Sequence, residues 1–163
     1  MEPQNKLFVK MVIDAWNKEL SATNKLLEKL SDEQLMSEVA PSRNRGIYLL
    51  GHLTAVNDEM MPLLRFQAAL HPKLTPLFID AADRAIAELP SLQELREQWR
   101  SVSDTLMQHI TRLPAEEWFT RHANISEADF PKEPHRNRLN VLLSRTSHLA
   151  YHRGQLVLLT GKG

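Results

Sequence analysis

The sequence contains no cysteine. That absence excludes disulfides, thiolate metal ligands and a cysteine nucleophile together, so a site for a soft or borderline metal has to be built from imidazole. Net charge is missing as well. Twenty Lys and Arg residues balance twenty Asp and Glu residues, which leaves no long-range field to gather nucleic acid or an anionic membrane. No apolar run approaches a membrane span. The first ten residues, Met1 to Lys10, mix acidic, basic and amide side chains and hold no apolar stretch of the signal-peptide kind. The expected setting is the cytoplasm. Glycine is scarce, at five residues, and aromatics make up 6% of a chain that is 42% apolar and 25% charged, an ordinary soluble composition that excludes fibres and disorder. Its 163 residues suffice for one domain with a proper core and are too few to promise two, so a single domain over 1–163 is expected. Histidine is the one abundance, with seven residues.

The apolar pattern is helical throughout. From Val9, apolar residues recur at Ile13, Trp16, Leu20, Leu27 and Leu30, interrupted by Thr23, which predicts a first helix from about Asn5 to Leu30. Leu49, Leu53, Val56, Met60 and Leu63 mark a second, after a turn-like stretch from Ala40 to Gly46 and with Pro62 placed to kink or shorten it. A third starts at Ser91, where Glu94 completes a capping box, and runs through Leu95, Trp99, Val102, Leu106 and Ile110 toward Pro114. The last covers about Leu139 to Thr160, stopping at Gly161. Two long connections join these helices. The first, Leu70 to Leu89, is read as a crossover with a short helix over Ala81 to Leu89. The second, Ala115 to Arg138, is long enough to fold over one end. The fold class expected is all-α, a four-helix bundle with long crossover connections.

Two stronger metal patterns are missing. There is no His-Glu-x-x-His, and no histidine has a Glu three residues before it, which removes the main support for zincin proteolysis and ferritin-like di-iron chemistry. What is present is His148 and His152, four residues apart on the last helix and therefore on one face. Val141, Leu156 and Leu159 share that face within about a quarter-turn, so the pair is aimed inward. His52 lies at the edge of the second helix's apolar stripe. Three converging neutral imidazoles suit Zn²⁺, Ni²⁺ or Fe²⁺. Spacing by itself leaves open the plainer alternative, three core histidines each satisfied by its own hydrogen bond.

The run Ser147-His148-Leu149-Ala150-Tyr151-His152-Arg153-Gly154-Gln155 resembles the His-x3-His-Arg-Gly-Gln element of the DinB-like superfamily, also described as YfiT-like metal-dependent hydrolases. Tyr48-Leu49-Leu50-Gly51-His52-Leu53 resembles that family's helix-two segment. The Trp16 and Trp118 regions and the crossover extend the similarity over nearly the whole chain. The resemblance implies a four-helix bundle with a divalent transition metal, nickel, zinc or iron, on His52, His148 and His152. It also implies chemistry of the kind seen in characterised relatives, which include thiol-dependent transferases and isomerases.

A thiol cofactor would give a chain without cysteine access to sulfur chemistry. Arg145, one turn before His148, is the residue expected to meet an anionic group of such a cofactor, and Gln155, one turn beyond His152, is expected to support the site by a hydrogen bond. Arg153 points elsewhere and is read as an interhelical residue. Glu59, about 10 Å along the helix from His52, is too far to be a ligand and is read as a surface carboxylate, or as a base at the mouth if the bundle tilts. His122 and His135 are read as loop histidines. Three function classes follow: a metal-dependent transferase or hydrolase acting on a small-molecule substrate, a metal-binding protein without catalysis, and a structural bundle or dimerisation module. A homodimer is compatible with all three, though no residue identifies its face.

Overall fold

The computed structural model describes residues 3–161. Six α-helices occur in the order α1 (Pro3–Lys29), α2 (Asp32–Met36), α3 (Gly46–Leu63), α4 (Leu74–Phe78), α5 (Leu92–Arg112) and α6 (Arg138–Val157), and no strand occurs among the described residues. The four long helices form the bundle. Helix α1 packs along α6 and α3 along α5. The ring is closed by Trp99 Nε1 donating to Asn24 Oδ1 at 2.8 Å between α5 and α1, and by histidine contacts between α3 and α6.

Helix α1 buries Val9, Val12, Trp16, Leu20, Thr23 and Leu27, a three-four series with no break. Thr23 continues the stripe because its hydroxyl donates to the Glu19 carbonyl at 2.8 Å, which removes the cost of burying it. Val12, not Ile13, holds the central position, and Ile13 is half-buried. Helix α3 is buried nearly all round, from Gly46 to Met61, as befits the helix that touches α2, α4, α5 and α6. It ends just after Pro62, where Arg65 takes a left-handed conformation (φ 59°) and the Arg65 and Phe66 amides close onto the Pro62 and Met61 carbonyls.

The connections depart from expectation. Residues 81–89 form turns, and the short helix lies earlier, as α4. Two anchors impose this. Tyr48 Oη donates to the Ala81 carbonyl at 2.9 Å, and Asp83 accepts from the Arg45 backbone amide, Nε and Nη2 at 2.7–3.3 Å. Burial works against the Asp83 carboxylate, but the hydrogen bonds and charge of Arg45 outweigh it and hold Asp83 below the usual carboxylate range. Arg84, next in line, has φ 68°, which stops any helix there. Helix α2 carries a capping box, Ser31 with Gln34, but its five residues are too few for a periodicity to register in the sequence.

Helix α4 exists to seat Phe78. Its ring lies against Gly51, where a Cβ would come within 2.3 Å of Phe78 Cε1, so α3 and α4 approach as closely as they do because residue 51 has no side chain. In contrast, a Cβ on Gly154 in α6 meets nothing within 4 Å. Gly51→Ala is expected to lose about 1–3 kcal/mol by overpacking, and Gly154→Ala to gain roughly 0.5–1 kcal/mol in helix propensity. Urea unfolding of the two variants checks the contrast.

Candidate metal centre

His52 projects from α3, and His148 and His152 from successive turns of α6. Helical spacing alone puts the last two side by side, with ring centroids 4.5 Å apart. Tertiary packing adds His52, whose ring centroid lies 5.2 Å from that of His148 and 4.9 Å from that of His152. One ligand atom from each lies within 4.8 Å of the other two, and all three residues are half-buried. The Nε2 atom of His148 is 3.2 Å from that of His52 and 3.1 Å from that of His152.

The outer nitrogens decide what the inner ones can do. His52 Nδ1 lies 2.7 Å from the Phe78 carbonyl, which can only accept, so His52 carries its proton on Nδ1. His152 Nδ1 lies 2.7 Å from Gln155 Oε1, and Gln155 Nε2 donates in turn to the Tyr151 hydroxyl oxygen at 3.3 Å, so His152 is likewise an Nδ1–H tautomer. Both neutral imidazoles therefore present bare Nε2 lone pairs to His148. One proton on His148 Nε2 can satisfy only one of them, and a lone pair faces a lone pair across the other contact.

A cation at the centre resolves that repulsion. Metal–nitrogen bonds of about 2.0–2.1 Å place ligating nitrogens roughly 2.8–3.0 Å apart in an octahedral and roughly 3.3–3.4 Å apart in a tetrahedral arrangement, and the 3.1 and 3.2 Å separations lie between the two. The donor set thus fits a divalent transition metal, with the Phe78 carbonyl and Gln155 holding two of the imidazoles from behind.

Electrostatics disfavour protonation of His148 and His152. Burial, then the nearby His152 and His52, then the Arg145 guanidinium push His148 down to about 4. Burial also lowers His152, against the hydrogen bond it donates to Gln155, which favours its charged form. Tyr48 stacks on His52, with 13° between the planes and 6.1 Å between centroids, and Tyr151 meets His152 edge-on at 5.0 Å.

Residues 15–156 match the family model of the DinB superfamily. The chain belongs to that superfamily. No curated protein matches it closely enough to name a relative. For a DinB-superfamily chain the three-histidine cluster fits metal binding, and the sequence-predicted trio is the set that the fold brings together.

The other residues singled out in the sequence take varied places. Arg153 leaves the site and donates to Glu19 Oε2 at 2.9 Å, tying α6 to α1. Arg145 and Glu59 both line a cavity of about 400 Å³ on the α4 side of the bundle, with Thr75, Ile79 and the Ala123–Asn124 stretch. Glu59 is half-buried, not a surface carboxylate, and accepts from Thr75 Oγ1 at 2.7 Å. His122 and His135 stay outside the cluster. The second connection reaches that cavity, where Ala123 and Asn124 form part of the wall and the Ala123 amide donates to the Leu63 carbonyl at 2.9 Å.

Sequence reasoning missed the Phe78 carbonyl, Tyr48 and Ala123. Only Gly51 beside His52 signalled that a backbone comes close there.

Because the folded state holds His148 near 4, against 6.5 ordinarily, the unfolded chain takes up that proton first. Stability of the metal-free protein is therefore complete above about pH 6.5 and is lost progressively toward about pH 4, with no further loss from this group below that. Thermal unfolding in chelator across this range is expected to show the decline, and His148→Asn, which cannot titrate, a shallower one.

Proposed function

We propose that this DinB-superfamily protein is a metal-dependent enzyme acting on a small molecule, as a thiol-dependent transferase or a hydrolase. The reading is supported chiefly by the frustrated Nε2 triangle: two lone pairs fixed inward by the Phe78 carbonyl and Gln155, on three ligands that leave further coordination positions to fill. The ion is zinc, nickel or iron(II), which share a preference for imidazole.

When bound, the ion supplies Lewis acidity, which serves both hydrolysis and thiol transfer. The chain's own residues do the rest. Tyr48 and the Phe78 carbonyl hold His52 in one orientation, and Gln155 does the same for His152. Arg145 offers a guanidinium to an anionic group of a thiol cofactor or substrate. The sulfur must come from a low-molecular-weight thiol, since the chain has none of its own beyond methionine. A metal-binding protein without catalysis is the alternative; it calls for a closed site, and the cavity beside Arg145 favours an enzyme.

Elemental analysis of untagged protein is expected to find a single equivalent of divalent metal. His152→Ala, with helicity checked by circular dichroism, should retain little, and Gln155→Ala should bind metal about 10- to 100-fold more weakly. The loaded parent, screened with thiols plus an electrophile and with small esters, should turn over one class, and His148→Ala should not. A parent that takes up no metal after reconstitution near neutral pH refutes the reading.

A further inference from the structure

The arginines of this chain that are not exposed are almost all held. Arg45 is bound by Asp83, Arg138 by Glu117, Arg153 by Glu19 and Arg136 by Glu133, while Arg96 and Arg121 donate to backbone carbonyls. Arg145 differs. It is half-buried, and burial lowers its pKa, yet no hydrogen bond or ion pair reaches it among the described residues. A half-buried guanidinium with no protein counter-charge, lining a cavity, is placed to meet an anion from outside.

Glu59 presents the same anomaly with the opposite sign. The half-buried glutamates Glu19, Glu117 and Glu133 each carry an arginine. Glu59 has only the neutral Thr75 hydroxyl, at 2.7 Å, and no cation within 4 Å among the described residues. Both groups line one cavity of about 400 Å³, and they do not pair with each other across it. Pro62, Leu63 and Ile79 add apolar wall between.

We propose that this cavity binds a small zwitterion of the amino-acid class, its carboxylate on Arg145, its ammonium on Glu59, and a short apolar body against Pro62, Leu63 and Ile79. The assignment deepens the enzyme reading and rests on it in one respect, that the zwitterion is the enzyme's substrate or its aminothiol cofactor. The volume lies at the lower end of ligand pockets, which suits a molecule of amino-acid to dipeptide size. Two opposite charges a fixed distance apart also discriminate. A ligand lacking either charge leaves one protein charge unpaired.

The test uses three probes, L-methionine, N-acetyl-L-methionine and L-methionine methyl ester, titrated by calorimetry and amide NMR shifts into the protein as purified and after chelator treatment. L-Methionine should bind tightest. Arg145→Gln should weaken L-methionine and N-acetyl-L-methionine roughly ten- to a hundredfold and leave the ester unchanged. Glu59→Gln, which keeps an acceptor for Thr75, should weaken L-methionine and the ester and leave the N-acetyl derivative unchanged. Arg145→Lys should restore part of the loss, and circular dichroism should show all three variants folded.

The ranking should survive chelation, which separates binding on these charges from chelation of the ion by an amino acid. It also separates failure of this assignment from failure of the metal reading, which would appear as absent metal with the ranking intact. L-Cysteine added to metal-loaded protein distinguishes the sources: a gain over L-methionine that vanishes on chelation marks an aminothiol cofactor, and equal binding marks a substrate. The proposal is overturned if N-acetyl-L-methionine binds as well as L-methionine, if neither variant alters the ranking, or if no probe binds up to millimolar concentration.

Discussion

Two imidazoles brought within hydrogen-bonding distance of a third inside a helical bundle cannot both be oriented by it. The bond from His52 Nδ1 to the Phe78 carbonyl is the constraint on which the arrangement depends. It sets the tautomer of His52, turns its Nε2 lone pair toward α6, and does so with a backbone group that cannot rotate away. Everything needed to deliver that carbonyl follows in order: the missing side chain at Gly51, the burial of the Phe78 ring, and the short helix that carries it.

The crossover connection is therefore part of the site's construction and not slack chain. It is tied to α3 by Tyr48 through Ala81 and by Arg45 through Asp83, and Tyr48 also stacks on His52. One aromatic side chain thus couples the ring to the segment that orients it. The second connection is tied to the other end of α3, with the Ala123 amide on the Leu63 carbonyl. Long connections cost conformational entropy; here both are held by hydrogen bonds to α3, the first beside His52 and the second at the helix's far end.

Charge is distributed with the same economy. The chain is neutral overall, and its half-buried ions are matched locally, Arg153 with Glu19 between α1 and α6 and Arg138 with Glu117. Such pairs contribute little net stability but are costly to break. The cavity that holds Arg145 and Glu59 stands out against this background, because its charges are placed and left unmatched.

The sequence by itself determined whatever depends on helical period. The i, i+4 spacing of His148 and His152 puts two imidazoles on one face in any helix, and the apolar series of α5 and α6 located those helices within a few residues. Thr23 joins the buried stripe because its hydroxyl finds the Glu19 carbonyl, which a ranking by polarity does not capture, and the choice of Val12 over its equally apolar neighbour Ile13 is made by packing against the other helices. Helices α2 and α4 fell below the length at which periodicity speaks. Only the tertiary structure decided that His52 meets the pair, that a Phe78 carbonyl holds it, and that Arg145, Glu59 and Ala123 share a cavity. Every residue offers a carbonyl, so none is marked in sequence as the one that binds. A cavity wall drawn from α3, α4, α6 and a loop exists only once those elements have packed.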